Sequence, residues 1–119
     1  MKRILLVDRG LKTVEQLRDP LEQRSFDVEI ALSGELGLQI LEERHVDAIL
    51  LSVGESEGDD PERFLRQVGT SHADIPVVLV TESIDPAGLE LLAGASLRAC
   101  HRKPLSLDAL LADIEDLCR

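Results

Sequence analysis

Short apolar runs alternate with amphipathic stretches along the whole chain. The runs are Ile4–Val7, Val28–Ala31, Ala48–Leu51, Val77–Val80 and a weaker one around Leu97–Cys100. Several are continuous rather than alternating, the pattern of strands buried on both faces in a parallel sheet covered by helices. Asp27-Val28-Glu29-Ile30 does alternate, which predicts an edge strand.

Helix start signals fall between the runs. Ser33 precedes a stretch carrying Leu36, Ile40 and Leu41, and Ser106 precedes one in which Leu107, Leu110, Leu111, Ile114 and Leu117 fall on one face. Asp60-Pro61-Glu62 reads as an N-cap, a proline at the first helical position and an acid in the first turn; Asp85-Pro86 repeats the device. A first helix over roughly 13–24 contains Pro20, where a kink is expected from the missing N–H. The order βαβαβαβαβα predicts an open, doubly wound, five-stranded parallel sheet with helices on both faces, in a single domain over 1–119. Its core should comprise Leu5, Val7, Ile49, Leu51, Val78, Val80 and the inner face of the last helix.

Composition narrows the function classes. Lys and Arg number 13 against 23 Asp and Glu, for a formal net charge of −10. Such a chain is repelled by nucleic-acid backbones and anionic membranes, so proteins and cations are the expected partners. Phe26 and Phe64 are the whole aromatic complement, which leaves no platform for stacking bases. Cys100 and Cys118 lack metal-ligand spacing and read as free thiols of a reducing cytoplasm. Ile4–Val7 is too short for a signal peptide or a membrane span.

In doubly wound sheets ligands bind at the carboxyl ends of the strands. The residues there are Asp8 and Arg9, then Ser52, then Thr81, then Lys103-Pro104. Together with the runs Ile4–Val7, Asp47–Val53 and Ile75–Val80 that carry them, they make the chain resemble the CheY-like receiver domains of two-component response regulators. Positions 9, 52, 81 and 103 are spaced 43, 29 and 22 residues apart, close to that family's spacing. The resemblance covers the whole chain and implies a flavodoxin-like (βα)5 fold.

It also implies roles. In the family, acids after the first strand bind magnesium, an aspartate ending the third strand accepts phosphate, and a hydroxyl and a lysine contact the phosphoryl group. Asp8 matches the first acid, Thr81 the hydroxyl, Lys103 the lysine, and Pro104 the following proline, often joined by a cis peptide. The departures are large: Ser52 stands at the phosphoacceptor position, Arg9 at the second acid, Gly10 where a third acid often follows, and Cys100 where a switch aromatic is usual. The Met-Pro-Gly turn after the acceptor is missing as well.

Chemistry makes these departures consequential. A serine hydroxyl is a weak nucleophile without an adjacent base, and magnesium prefers several anionic oxygens. The expected function is therefore a phosphorylation-independent receiver: no enzyme, no bound metal or cofactor, a cytoplasmic module for signalling proteins. The implied docking surface is the face formed by the fourth helix, fifth strand and last helix, with homodimerisation as one use of it. Arg9 places a permanent cation near the expected ion position and can pair with Asp8 or with Glu55, Glu57 or Asp59, or else point into solvent.

Other readings stay open. A receiver could still be switched through an acid such as Glu55 or a small ligand. Thr81 and Lys103 could hold an anion, or Lys103 could bond carbonyls or Asp8. A small α/β serine hydrolase would need Ser52 as nucleophile with His101 and Asp8 behind it, but no Gly-x-Ser-x-Gly elbow is present. Gly34-Glu35-Leu36-Gly37 lacks the placement of a phosphate loop and should only start a helix. His45 and His72 should be solvated. Cys100 reads as a buried small side chain before a redox sensor.

Overall fold

The computed structural model describes residues 1–8, 10–53, 61–81, 97–102 and 106–118. Strands β1 (Arg3–Val7), β2 (Asp27–Ala31), β3 (Ala48–Val53), β4 (Val77–Thr81) and β5 (Leu97–Arg102) form one sheet in the order β2-β1-β3-β4-β5, with every pair parallel. The described helices are α1 (Leu11–Gln23), α2 (Gly34–Glu43), α3 (Pro61–Ser71) and α4 (Leu107–Leu117). Residues 82–96, where the sequence predicts a further helix beginning at Asp85-Pro86, lie outside the described residues.

The strand order explains the hydropathy pattern. β1, β3 and β4 are interior, so both faces are covered, and Ile4, Leu5, Leu6, Ile49, Leu50 and Val77–Val80 are fully buried. β2 sits at an edge and is mostly half-buried, as its alternation predicts.

Alternate strand residues divide the core into two layers. Ile4, Leu6, Ala48, Leu50, Val78 and Val80 pack with Val14, Leu17 and Leu21 of α1 and Leu110, Leu111 and Ile114 of α4. Leu5, Val7, Ile49, Leu51, Val77 and Leu79 pack with Leu41 of α2 and Phe64, Leu65 and Val68 of α3. The core expected from sequence thus mixes residues from both layers: Leu51 faces α2 and α3, while Val80 faces α1 and α4.

Local signals account for the helix ends. Ser33 Oγ accepts from the Leu36 N–H at 3.2 Å and Ser106 Oγ from the Ala109 N–H at 3.4 Å, satisfying donors that a helix start leaves open. Pro61 opens α3, and α1 runs on through Pro20 to Gln23. Leu107, expected on the apolar face of the last helix, is 37% exposed instead, and Leu36 of α2 is 47% exposed. On α2 the sheet-facing position belongs to Gly37, where an added Cβ would lie 3.1 Å from both Phe64 Cε2 and Val7 Cγ2. A side chain there would push Phe64 or Val7 back by a few tenths of an ångström, so glycine suits this close approach of α2 to the sheet.

Among the described residues no helix is long and apolar enough to cross a membrane.

Candidate functional site at the carboxyl ends of the strands

β1 ends at Val7, level with Leu51 of β3. One step further along each strand places Asp8 level with Ser52, about 4.8 Å away across the sheet. Ser52 in turn is level with Val80, and Val53 with Thr81. Ser52 and Asp8 therefore continue the face that carries Leu6, Leu50 and Val80, the face covered by α1 and α4.

Both side chains are buried, Asp8 at 8% exposure and Ser52 at 5%. Asp8 is held by its own turn: the Gly10 N–H donates to Asp8 Oδ1 at 2.9 Å, while the Asp8 N–H donates to the Ala31 carbonyl at 3.0 Å. An aspartate accepting from the backbone two residues on is an Asx turn, and here it opens α1. The other carboxylate oxygen, Asp8 Oδ2, and the Ser52 hydroxyl are buried without a hydrogen-bond partner among the described residues. A buried polar group left this way costs about 1–3 kcal/mol, more when charged. Two such groups side by side mark the place where this fold keeps polar atoms it does not itself satisfy.

The remaining candidates are seen less fully. Thr81 closes β4, and Cys100 lies in β5 level with Leu79; at both the description is of backbone only. Arg9, Lys103, Pro104 and the acids Glu55, Glu57 and Asp59 lie outside the described residues. Among the described residues no three side chains of the metal-ligating types gather into a site.

β5 contributes a contact that sequence reasoning did not foresee. The β4–β5 register shifts between Val77 and Val78, so that His101 comes level with Val80 and on its face. There His101 Nε2 lies 2.7 Å from Asp113 Oδ2 of α4, tying the edge strand to the last helix. This arrangement does not bring His101 to Ser52, as the hydrolase reading would need. In register Val80 separates Ser52 from His101, two strand spacings of about 4.8 Å each. The Ser52 hydroxyl has no hydrogen-bond partner among the described residues. His45, by contrast, is 82% exposed as expected, with its ring 3.2 Å from Asp47.

Comparison with known proteins agrees with this geometry. No protein-family model matches the chain. Response regulator MprA of Mycobacterium sp. (strain KMS) is 32% identical over 119 residues, a match covering 98% of this chain and 50% of that protein. The chain thus spans about half the length of the curated relatives it matches. The CheY-like response regulator receiver domain protein of Methanospirillum hungatei JF-1 superposes with a TM-score of 0.85 at 25% identity, covering 98% of this chain and 92% of that one. Response regulator protein TrrA of Thermotoga maritima, solved in complex with Mg(2+)-BeF, superposes with a TM-score of 0.84 at 22% identity, covering 98% and 99%. In sequence and in fold, over 98% of its length, the chain is similar to CheY-like receiver domains of response regulators.

Proposed function

We propose that this receiver domain works without phosphotransfer, as a pseudo-receiver that binds signalling proteins. The observation that carries the reading is the buried Ser52 hydroxyl beside Asp8, at the position where the family resemblance expects an acceptor carboxylate. A neutral hydroxyl with no base hydrogen-bonded to it among the described residues neither attacks a phosphohistidine readily nor helps to gather a divalent cation. The donor set fits magnesium poorly for a second reason. Asp8 Oδ1 is engaged by Gly10, which leaves one free carboxylate oxygen, and Arg9 adds positive charge where a second acid would stand. Magnesium requires near-octahedral coordination by oxygens, preferably several of them anionic.

In this reading residues 1–119 act as one (βα)5 domain with no enzymatic activity of its own. Thr81 and Lys103 remain as relics of a phosphoryl pocket, and Cys100 stands where a switch aromatic is usual. The partner is a protein, not a nucleic acid or a membrane, since the chain carries a net charge of −10. The docking face includes β5 and α4, and a second copy of the chain is one candidate partner. A second reading keeps the domain switchable through an acid in the 54–60 loop, such as Glu55.

Beryllofluoride separates the two. It mimics a phosphoryl group on a carboxylate in the presence of magnesium, the combination with which the Thermotoga TrrA protein was solved. Its addition with magnesium should leave the amide NMR spectrum of this domain unchanged, and acetyl phosphate should leave its intact mass unchanged. Ser52→Asp alone should not restore a response while Arg9 remains; adding Arg9→Asp should restore magnesium binding. A wild-type response to beryllofluoride would show that another carboxylate has taken over the acceptor role.

A further inference from the structure

Asp8 Oδ2 and Ser52 Oγ are two oxygens, at least nine-tenths buried, level with each other on neighbouring strands and each without a partner among the described residues. They do not hydrogen-bond to one another. An ionised carboxylate oxygen only accepts, and a hydroxyl oxygen keeps lone pairs free while its proton rotates away. Two unpartnered acceptors at adjacent strand ends call for a cation or a donor of several hydrogen bonds. Among the described residues, the charge to be matched is that of one carboxylate. A divalent ion would stay under-neutralised, with a single anionic oxygen to replace its shed waters. A guest carrying one positive charge balances the site and meets both oxygens at once.

We propose that the Asp8–Ser52 pair is a binding site for a singly charged cation, an ammonium group or a monovalent metal ion, in place of a divalent one. The inference rests on the phosphotransfer-free reading above, because an acceptor carboxylate at position 52 would double the charge of the site. The charge has two sources: an ion from solution, or a side chain of this protein, for which Arg9 and Lys103 are the nearest cations in sequence to the strand ends. Both present the same chemistry to the two oxygens.

The test uses the whole domain, titrated with ammonium chloride and with potassium chloride at fixed ionic strength. Tetramethylammonium chloride serves as balancing salt, since it carries the charge without N–H donors and behind four methyl groups. The readouts are the Gly10 and Ser52 amide resonances and the melting temperature, which a ligand bound only to the native state raises with its concentration. Titrations are run on wild type, Arg9→Gln and Lys103→Met. A saturable shift in wild type assigns the charge to solution. A shift only in Arg9→Gln or Lys103→Met assigns it to the side chain removed. In whichever background responds, Asp8→Asn should abolish saturation, and Ser52→Ala should raise the midpoint by about tenfold, the loss of one charge-assisted hydrogen bond. The proposal is overturned if no background responds, if tetramethylammonium acts equally well, or if magnesium saturates the site at lower concentration than ammonium. A domain that ignores both ammonium and beryllofluoride loses this inference and keeps the binding-module reading. One that responds to beryllofluoride loses that reading first.

Discussion

The two ends of the sheet treat their polar groups in opposite ways. At the amino ends of the strands, charges meet partners. Asp47 accepts from the Arg3 N–H at 2.8 Å, lies 3.2 Å from the His45 ring and 3.9 Å from the Lys2 ammonium. The Arg3 guanidinium reaches Asp27 at 3.1 Å, and Arg44 pairs with Glu29 across the sheet edge. At the carboxyl ends, Asp8 and Ser52 are more deeply buried than any of these, yet each leaves an oxygen unsatisfied by the described residues. One end is arranged for stability. The other carries a polar cost that a purely structural end would have removed with apolar side chains. The contrast is independent of any resemblance.

That contrast assumes one core supporting both ends, and the largest expected effect tests the assumption. Leu51 is 4% exposed, lies directly before Ser52 in β3 and packs in the layer with Phe64 and Leu79. Leu51→Ala should cost about 2–5 kcal/mol, the lost transfer energy of its side chain plus a cavity that close-packed neighbours fill only in part. Denaturant melts of the two proteins give the value directly. A loss below about 0.5 kcal/mol would mean that β3 is not the shared support of the two ends.

A smaller loss is expected at the amino end. Burial pushes the Asp47 carboxyl up, but the Arg3 N–H, the His45 ring and the Lys2 charge together outweigh it, so the net shift is downward from the ordinary value. A carboxyl whose folded pKa is depressed contributes stability that is fully present above its unfolded pKa and lost as pH falls through the folded one. Asp47→Ala should therefore cost about 1–3 kcal/mol at neutral pH, mostly through the stranded Arg3 donor. The difference from wild type should shrink on acidification below the ordinary aspartate range. If it stays constant down to the acid-unfolding limit, the ionised form of Asp47 is not what matters there.

The same operation at the carboxyl end should have the opposite sign. Ser52→Ala removes a buried hydroxyl that has no partner among the described residues, so stability should hold or rise by up to about 1 kcal/mol. A clear loss in the melt would show that Ser52 is already satisfied, and the two ends would then differ less than proposed.

What was legible in the sequence follows the same division. Strand runs, the edge position of β2 and the caps at Ser33 and Ser106 are local signals, and the structure bears each of them out. Asp8 and Ser52 were legible because each directly follows an apolar run. Which layer a core residue joins was not legible from run composition, since Leu51 and Val80 look alike within their runs and face opposite ways. The exposure of Leu36 was not legible either, since helical spacing cannot say how near a helix lies to its sheet; on α2 it is Gly37 that lies against Phe64 and Val7. The Gly10 contact to Asp8 could have been read from the Asp-x-Gly spacing of an Asx turn. The His101–Asp113 contact could not, because it depends on a register shift between β4 and β5 that no local pattern announces.

The smallest expected effect sharpens the claim that the amino end is built for stability by finding where it falls short. α1 ends as a Schellman motif: the Phe26 N–H donates to the Leu21 carbonyl at 3.1 Å and the Ser25 N–H to the Glu22 carbonyl at 3.0 Å. Leu21 and Phe26 share a core layer, supplying the apolar contact that accompanies the motif. The turn needs a left-handed residue, and Ser25 occupies it at φ 67°. An L side chain there places its Cβ against the following carbonyl, at a cost of roughly 1–2 kcal/mol that glycine avoids. Glycine gives part of this back through the greater freedom of the unfolded chain. Ser25→Gly should therefore stabilise the domain by about 0.5 kcal/mol, read as a small rise in denaturant midpoint at unchanged slope. Ser25→Val should destabilise it by more than that, since a β-branched side chain is poorly tolerated at positive φ. Should Ser25→Gly lower the midpoint, the hydroxyl is contributing something at this turn that backbone conformation does not account for. The amino end would then carry a polar contact of its own beyond the ion pairs around Asp47.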